Sequence, residues 1–436
     1  MPQRKTIFLT GGSGFIGRHV LEALSKRGHR VTALWRAKQA TRIEQMQWPG
    51  VRCVVGDFAQ PTAWADSLQG HDIAINLVGI IREQGDARFD ILHQAAPIAL
   101  FDAAKQAGVK KIIQLSALGA DDGAQSHYHR SKRAADQHLA TLGIPYVVLR
   151  PSFVYGPQDH SMTFFTSLAA LPVTPVVGDG KYLVQPIHVE DLVHAITRAV
   201  EDDDIADVAV DVGGAEALSF NAMLDTLASW LGKNKGAFRL HLPLWWIRVL
   251  AWMTDLLGGR GPISRDELGM LLRGNHCDNT QFVQIFGFSP MPFALGISRR
   301  PRSPEARWTA YLTPLRLVVQ WSVAFIWIAT GIVSAWIYPE QESLKLLAGV
   351  GLTGTLAKIA LYGTSYLEIV LGICTAIGFR LRWMGVLQLF LMFGFMGILT
   401  YGSPSFWVHP FGPLTKNIPL IAATLVMMAM AEAEHT

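Results

Sequence analysis

Residues 6–17 read TIFLTGGSGFIG. A short apolar run stops at a glycine pair, and a helical pattern then runs from Phe15 to Lys26, with Gly28 as its stop signal. Gly11, Gly14 and Gly17 thus form G-x-x-G-x-x-G between a strand and the helix it feeds. Glycine in that turn lets the backbone approach a pyrophosphate, and the helix N-terminus offers unpaired N–H groups with a partial positive charge. In its strand–turn–helix setting the motif points to a dinucleotide rather than to a purely structural turn.

Working outward, further strands are expected at 31–35 (VTALW), 51–57 (VRCVVGD), 72–78 (DIAINLV), 110–116 (KKIIQLS), 146–150 (YVVLR) and 208–214 (VAVDVGG). A long helix is expected from about Ile91 to Ala107. Strands separated by helices imply a parallel sheet covered on both faces, an α/β doubly wound fold. At the end of the second strand an NAD site wants an acid for the ribose hydroxyls. Arg36 stands there instead, with Lys38 just beyond, so NADP(H) is favoured. Asp57 and Phe58 close the third strand, where a carboxylate and a ring suit an adenine; Phe58 as plain core is the alternative.

Tyr128 and Lys132 form Y-x-x-x-K, one turn apart on a helix, and Ser116 lies at the end of the fifth strand. A phenol with an ordinary pKa of about 10 is a poor acid–base group at neutral pH, and a lysine beside it favours the phenolate. Ser116 is placed to orient a carbonyl or hydroxyl. His127 and His129 read as solvated helix residues.

Composition sets the remaining bounds. The chain has 436 residues, 50% hydrophobic and 17% charged, with a net charge of +4. That balance is too weak and scattered for a nucleic-acid partner. Cys53, Cys277 and Cys374 lie far apart, which excludes a disulfide scaffold and offers no metal site. No targeting signal is read in the first residues.

Residues 301–436 hold only 14 charged side chains. Four spans are expected there, at 317–337, 359–378, 383–401 and 418–431, the last of them short. Arginines 299, 300, 302, 307 and 316 precede the first span, and Arg380 and Arg382 follow the second. The positive-inside rule then places the front domain and both termini in the cytoplasm, on the inner (cytoplasmic) membrane. Glu368 interrupts the second span, where a hydrogen bond within the bundle is the expected fate of a costly carboxylate. Residues 242–257 (LPLWWIRVLAWMTDLL) put tryptophans almost all round a helix, suited to a protein core or, as favoured here, to a membrane interface. The expected domains are a cofactor core at 1–150, a substrate-side cap at 151–300 interleaved with the last strands, a basic linker at 301–316, and a membrane bundle at 317–436.

Residues 5–225 resemble the extended and atypical short-chain dehydrogenase/reductase superfamily, above all the branch holding the dehydrogenase-like accessory subunit of respiratory complex I. The similarity is carried by GGSGFIGRHV, NLVGIIRE, AAKQAGVKKIIQLSALGAD, YHRSKRAAD, LRPSFVYGP, QPIHVEDLVHAI and VGGAEALSF. The resemblance implies that Gly11, Gly14 and Gly17, with Phe15 and Ile16, meet the pyrophosphate of NADP(H), and that Arg36 meets the 2′-phosphate. It also implies that Asn76, Val78 and Gly79 line the cofactor and that Pro151 lies near the nicotinamide. Ser116, Tyr128 and Lys132 would be catalytic, although no asparagine completes the usual tetrad. SYLEIVLGICTAIGFRLRW and HPFGPLTKNIPL resemble DoxX-like four-helix membrane proteins. Two functions follow from these resemblances: an oxidoreductase or epimerase-like enzyme acting on a quinone or prenyl lipid, or an NADPH-holding structural or assembly subunit of a membrane redox complex.

Overall fold

The computed structural model describes residues 3–37, 48–83, 85–233, 238–256, 263–402, 404–410 and 412–432. The chain divides into two compact units, residues 1–307 and 308–436.

The first unit is built on seven strands: β1 (Thr6–Thr10), β2 (Arg30–Trp35), β3 (Val51–Val55), β4 (Ile73–Asn76), β5 (Lys111–Leu115), β6 (Tyr146–Pro151) and β7 (Val208–Val212). They lie in the order 7-6-5-4-1-2-3, every neighbouring pair parallel. Alternation along each strand assigns the two faces. Ile7, Leu9, Ile73, Ile75, Ile113, Val147 and Leu149 meet helices α1 (Phe15–Lys26) and α4 (Val189–Glu201). Phe8, Ala74, Ile112 and Val148 meet α2 (Ala96–Gln106) and α3 (His127–Thr141) on the other face. Each fully buried Ile or Leu contributes about 1.5–3 kcal/mol, so two such faces hold the sheet firmly.

A buried polar ladder crosses the strand ends. Thr10 Oγ1 donates to Asn76 Oδ1 (2.7 Å), and Asn76 Nδ2 donates to Gln114 Oε1 (2.8 Å). These residues stand in register on β1, β4 and β5. Asn76 Oδ1 also accepts the Val78 N–H (3.1 Å), which fixes how the chain leaves β4.

The expected helix from Ile91 to Ala107 begins with one wide π turn, Asp90–Ala95, before α2. Pro97 has no N–H to return to the His93 carbonyl, so the α ladder opens there. Further on lie α5 (Leu244–Leu256) and α6 (Arg265–Arg273).

The second unit is helical. Helices α7 (Pro304–Ile332, continued by a π turn to Ile337), α8 (Gly354–Ala376) and α9 (Leu381–Gly402) are each long and apolar enough to cross a membrane. The fourth, α10 (Asn417–Glu432), has 16 residues, short of the roughly 20 that a bilayer core requires. Small residues set the α7–α8 approach. A Cβ on Gly331 would lie 2.6 Å from the Ser365 carbonyl oxygen, and one on Gly372 would lie 2.5 Å from Ile328 Cγ1. Gln320 Nε2 donates to the Thr375 carbonyl and Gln388 Nε2 to Thr375 Oγ1, both at 2.8 Å and both buried. Glu368 departs from expectation: its Oε2 is buried without a hydrogen-bond partner among the described residues. Lys358, on the same helix, pairs with Glu340 at 2.9 Å.

Candidate active site

The glycine turn has three separate local causes. Gly11 has φ +79°, and a Cβ there would lie 2.7 Å from the Leu77 carbonyl carbon. A Cβ on Gly17 would lie 2.1 Å from the Gly11 carbonyl oxygen, so α1 can pack on its own turn only through hydrogen at that position. Gly14 is exposed, and the nearest atom to its Cβ position is the Gly11 oxygen at 3.3 Å. The protein thus demands glycine at 11 and 17, while the opening at 14 faces outward beside the first turn of α1. Phe15 and Ile16, half-buried, belong to that turn, whose leading amides have no helical acceptor. This is a cradle fitted to a phosphate group.

Arg36 is exposed directly after β2, while Lys38 lies outside the described residues. Asp57 is exposed and accepts the Ala59 N–H (3.0 Å). The Phe58 ring is 6% exposed and stacks on Trp64 with centroids 5.8 Å apart, so it is core rather than a cover for adenine. Asn76 is fully buried in the polar ladder, and this corrects its expected place along the cofactor. The Val78 backbone it orders and the exposed Gly79 form the open edge instead. Pro151 is buried at the end of β6, its carbonyl accepting the Leu118 N–H (3.0 Å). Asp191 accepts the Met291 N–H (2.9 Å).

Tyr128 and Lys132 share one face of α3, with Asp136 a further turn on. The Tyr128 ring is edge-on to Phe89 (5.7 Å), His93 (5.2 Å) and His129 (5.1 Å). Its hydroxyl makes no hydrogen bond to a described residue. Burial pushes this phenol up to about 12, so it holds its proton at neutral pH. Lys132 is 3% exposed and donates to the carbonyls of Leu115 (3.0 Å) and Val78 (3.3 Å). Burial, partly offset by Asp136, brings its ammonium down to about 8. The expected lowering of the phenol by Lys132 is not met, because burial of the ring dominates its shift.

Ser116 Oγ donates to Asp136 Oδ2 (2.6 Å), so its proton points into the domain and only its lone pairs are left for a ligand. Asp136 is 5% exposed, with Arg150 Nε 3.6 Å from the same oxygen. Burial lifts its carboxyl to about 6 against the pull of Ser116 and Arg150. His129 corrects another expectation. It is 7% exposed, and its Nδ1 meets Ser126 Oγ at 2.8 Å, whereas His127 is exposed as expected.

Two residues were missed by reading the sequence. Asp136 completes an i, i+4, i+8 series after Tyr128, a signal that was present. His93, fully buried in the π turn, accepts the Ile80 N–H at Nε2 (3.0 Å) and meets Ser131 Oγ through Nδ1 (3.2 Å). Ser131 Oγ in turn donates to the Tyr128 carbonyl (2.8 Å). Burial, then Lys132 and His127, hold this imidazole down to about 2, so it is neutral and carries its proton on Nδ1. It binds the loop after β4 to α3. A histidine in the largely apolar run ILHQAAPIAL was the available hint.

Comparison with known proteins bears on the fold and on the two regions of the chain. Residues 11–167 match the family described as NAD(P)H-binding, and residues 324–425 match the DoxX-like family. The ceramide reductase of Caulobacter vibrioides is 31% identical over 193 residues, covering 43% of this chain and 58% of that protein. Subunit 9 of the mouse mitochondrial NADH dehydrogenase (ubiquinone) 1 alpha subcomplex is 29% identical over 210 residues, 46% of this chain and 53% of that one. A 4-hydroxy-2-methyl-3-oxo-4-farnesyl-3,4-dihydroquinoline-1-oxide ketoreductase of Stigmatella aurantiaca is 27% identical, covering 50% of this chain and 71% of its own. The chain thus spans little more than half the length of the first two relatives. Among solved structures, the UDP-glucose 4-epimerase of Thermotoga maritima has a TM-score of 0.53 at 20% identity, covering 71% of this chain and 99% of that one. The Bordetella bronchiseptica enzyme WbmG has a TM-score of 0.55 at 17% identity, covering 71% and 95%. At these identities the structures speak for the fold alone. The chain therefore pairs a region similar to the NAD(P)H-binding family, on a parallel-sheet fold shared with these structures, with a region similar to the DoxX-like family.

Proposed function

We propose that the protein is a membrane-anchored, NADP(H)-dependent reductase of a carbonyl on a lipid-soluble substrate, in the quinone or prenyl-lipid size class. The observation that carries this reading is the Tyr128 hydroxyl, bonded to no described residue, one helical turn from the buried Lys132, whose ammonium lies against the Gly79 edge. The cradle at Gly14 fits a dinucleotide phosphate, and Arg36 suits a 2′-phosphate. NADP(H), when bound, supplies hydride to the carbonyl carbon. Tyr128 gives its proton to the carbonyl oxygen, so the C=O bond becomes an alcohol. Lys132 carries positive charge beside the phenol and stabilises the phenolate left behind. Ser116, held by Asp136, offers a lone pair to the substrate or product hydroxyl. The ceramide reductase and ketoreductase among the relatives support a lipid-like carbonyl substrate.

The complex I subunits among the relatives support a second reading, in which NADPH is a structural ligand of a membrane redox complex. NADPH oxidation by the purified full chain, screened against a lipid extract, separates the two. Consumption that depends on the extract supports the reductase, and none with any fraction supports the subunit. The front domain and both termini are proposed to be cytoplasmic, from the arginines beside the first and second spans.

NADPH is expected to bind at least about tenfold tighter than NADH, or about 1.4 kcal/mol. Arg36→Asp should erase that ratio in a fluorescence titration; an unchanged ratio would remove Arg36 from the phosphate site. The pH profile has a direction as well. Lys132 loses its charge as pH rises through about 8, and Asp136 loses its charge as pH falls through about 6. The profile of kcat/KM should therefore be bell-shaped with limbs near those values, and Asp136→Asn should remove the acid limb alone.

A further inference from the structure

We infer that α5 lies in the bilayer interface, with one face in lipid. Helix α5 has two apolar faces of different fate. Ile247, Ala251 and Thr254 are buried, and the first two pack with Leu268 of α6 and with Val177 and Leu242. Trp245, Trp246, Val249, Trp252, Met253 and Leu256 are all 46–71% exposed. At 100° per residue these six fill an arc of about 120° that contains no polar residue, the width of a typical apolar stripe. Arg248 borders the arc and is exposed. Six large apolar side chains in one stripe are a poor surface for water. Indoles with a flanking arginine are the pattern that interfacial helices use against lipid headgroups and upper acyl chains.

The occupant follows from chain connectivity. The first unit ends at Arg307, and α7, a helix apolar enough to span a membrane, opens at Pro304. Only the opening turns of α7, which carry Arg307 and Arg316, lie between this domain and the apolar stretch of that helix, so a bilayer that α7 enters is held near the domain at high effective concentration. A soluble partner would have to compete with that surface.

The buried side of α5 leads toward the candidate active site. Glu267 of α6 forms a two-pronged ion pair with Arg82 (2.6 and 3.1 Å), just past Gly79. Arg273 donates to the Gly123 carbonyl (3.0 Å) in the loop before Tyr128. Helix α6 therefore joins the lipid-facing helix to both loops that flank the site. Docking of α5 does not depend on the proposed reaction.

The test uses the full chain in lipid nanodiscs with one copy per disc. In a Cys53→Ser, Cys277→Ser, Cys374→Ser background, a nitroxide is placed at Val249→Cys and, as the water-facing reference, at Arg248→Cys. Collision with oxygen, which concentrates in lipid, is compared with collision with a water-soluble nickel chelate. The expected result is an oxygen-to-nickel ratio several-fold higher at 249 than at 248. Equal ratios would place α5 in water and overturn the inference. Exclusion of both reagents at 249 would mean that protein covers the face, and would overturn it equally. Leu256→Cys, on the same stripe, repeats the reading if Val249→Cys does not fold, and none of these positions belongs to the candidate active site.

Discussion

Tyr128→Phe is expected to lower NADPH-dependent reduction by about 10²–10⁴-fold, the usual worth of a positioned proton donor. That loss is roughly 3–5 kcal/mol of barrier. NADPH affinity should stay within a few-fold, because the hydroxyl bonds no described residue and the ring keeps its contacts with Phe89, His93 and His129. Lys132→Ala should weaken both turnover and binding, since its ammonium also ties the Val78 and Leu115 carbonyls at the cofactor edge. Stopped-flow oxidation of NADPH together with equilibrium titration measures the two effects separately. A Tyr128→Phe protein with full activity would exclude this proton donor and transfer the role to another acid.

The second large effect concerns the glycine turn. Gly17→Ala places a methyl group 2.1 Å from the Gly11 oxygen, a backbone atom with no freedom to rotate away. Either α1 or the turn must move, at a cost of about 3 kcal/mol, the upper end for overpacking. Both thermal stability and NADPH binding should suffer. Gly14→Ala should behave differently, because its nearest neighbour is 3.3 Å away and the rest is open. The melting temperature should barely change while NADPH affinity falls at least about tenfold, as the methyl occupies space meant for phosphate. Differential scanning calorimetry with and without NADPH distinguishes the pair. A Gly14→Ala protein that binds NADPH normally would show that the phosphate sits elsewhere.

The sheet was readable because each of its strands is a short apolar run bounded by turn residues, and the first turn because Gly11 and Gly17 stand where a Cβ would meet backbone. Tyr128 and Lys132 were readable because they share one helix, where spacing alone sets their relation. What escaped depends on contacts between elements distant in sequence. Nothing near His93 announces that it bonds Ile80 and Ser131, because the π turn that aims it arises from a missing N–H four residues later. His129 looked solvated like His127, yet two residues carry it about 200° around α3 and into the domain. Phe58 was open between two readings, and only the position of Trp64 resolved its ring. Glu368 was expected to find a partner in the bundle, but partners on neighbouring helices cannot be read from periodicity.

The ladder of Thr10, Asn76 and Gln114 has a consequence for redesign. Buried polar triplets seldom add stability over apolar groups of the same shape, because their desolvation offsets the bonds they make. This one fixes the stagger of three adjacent strands and, through the Val78 amide, the path of the segment beyond them. A wider opening at this edge would not be obtained by trimming the exposed residues around Gly79 alone. Replacing all three residues by apolar groups of similar shape would release that segment at little cost, whereas cutting the tie at Asn76 alone would leave the buried groups of Thr10 and Gln114 unpaired and lower the melting temperature.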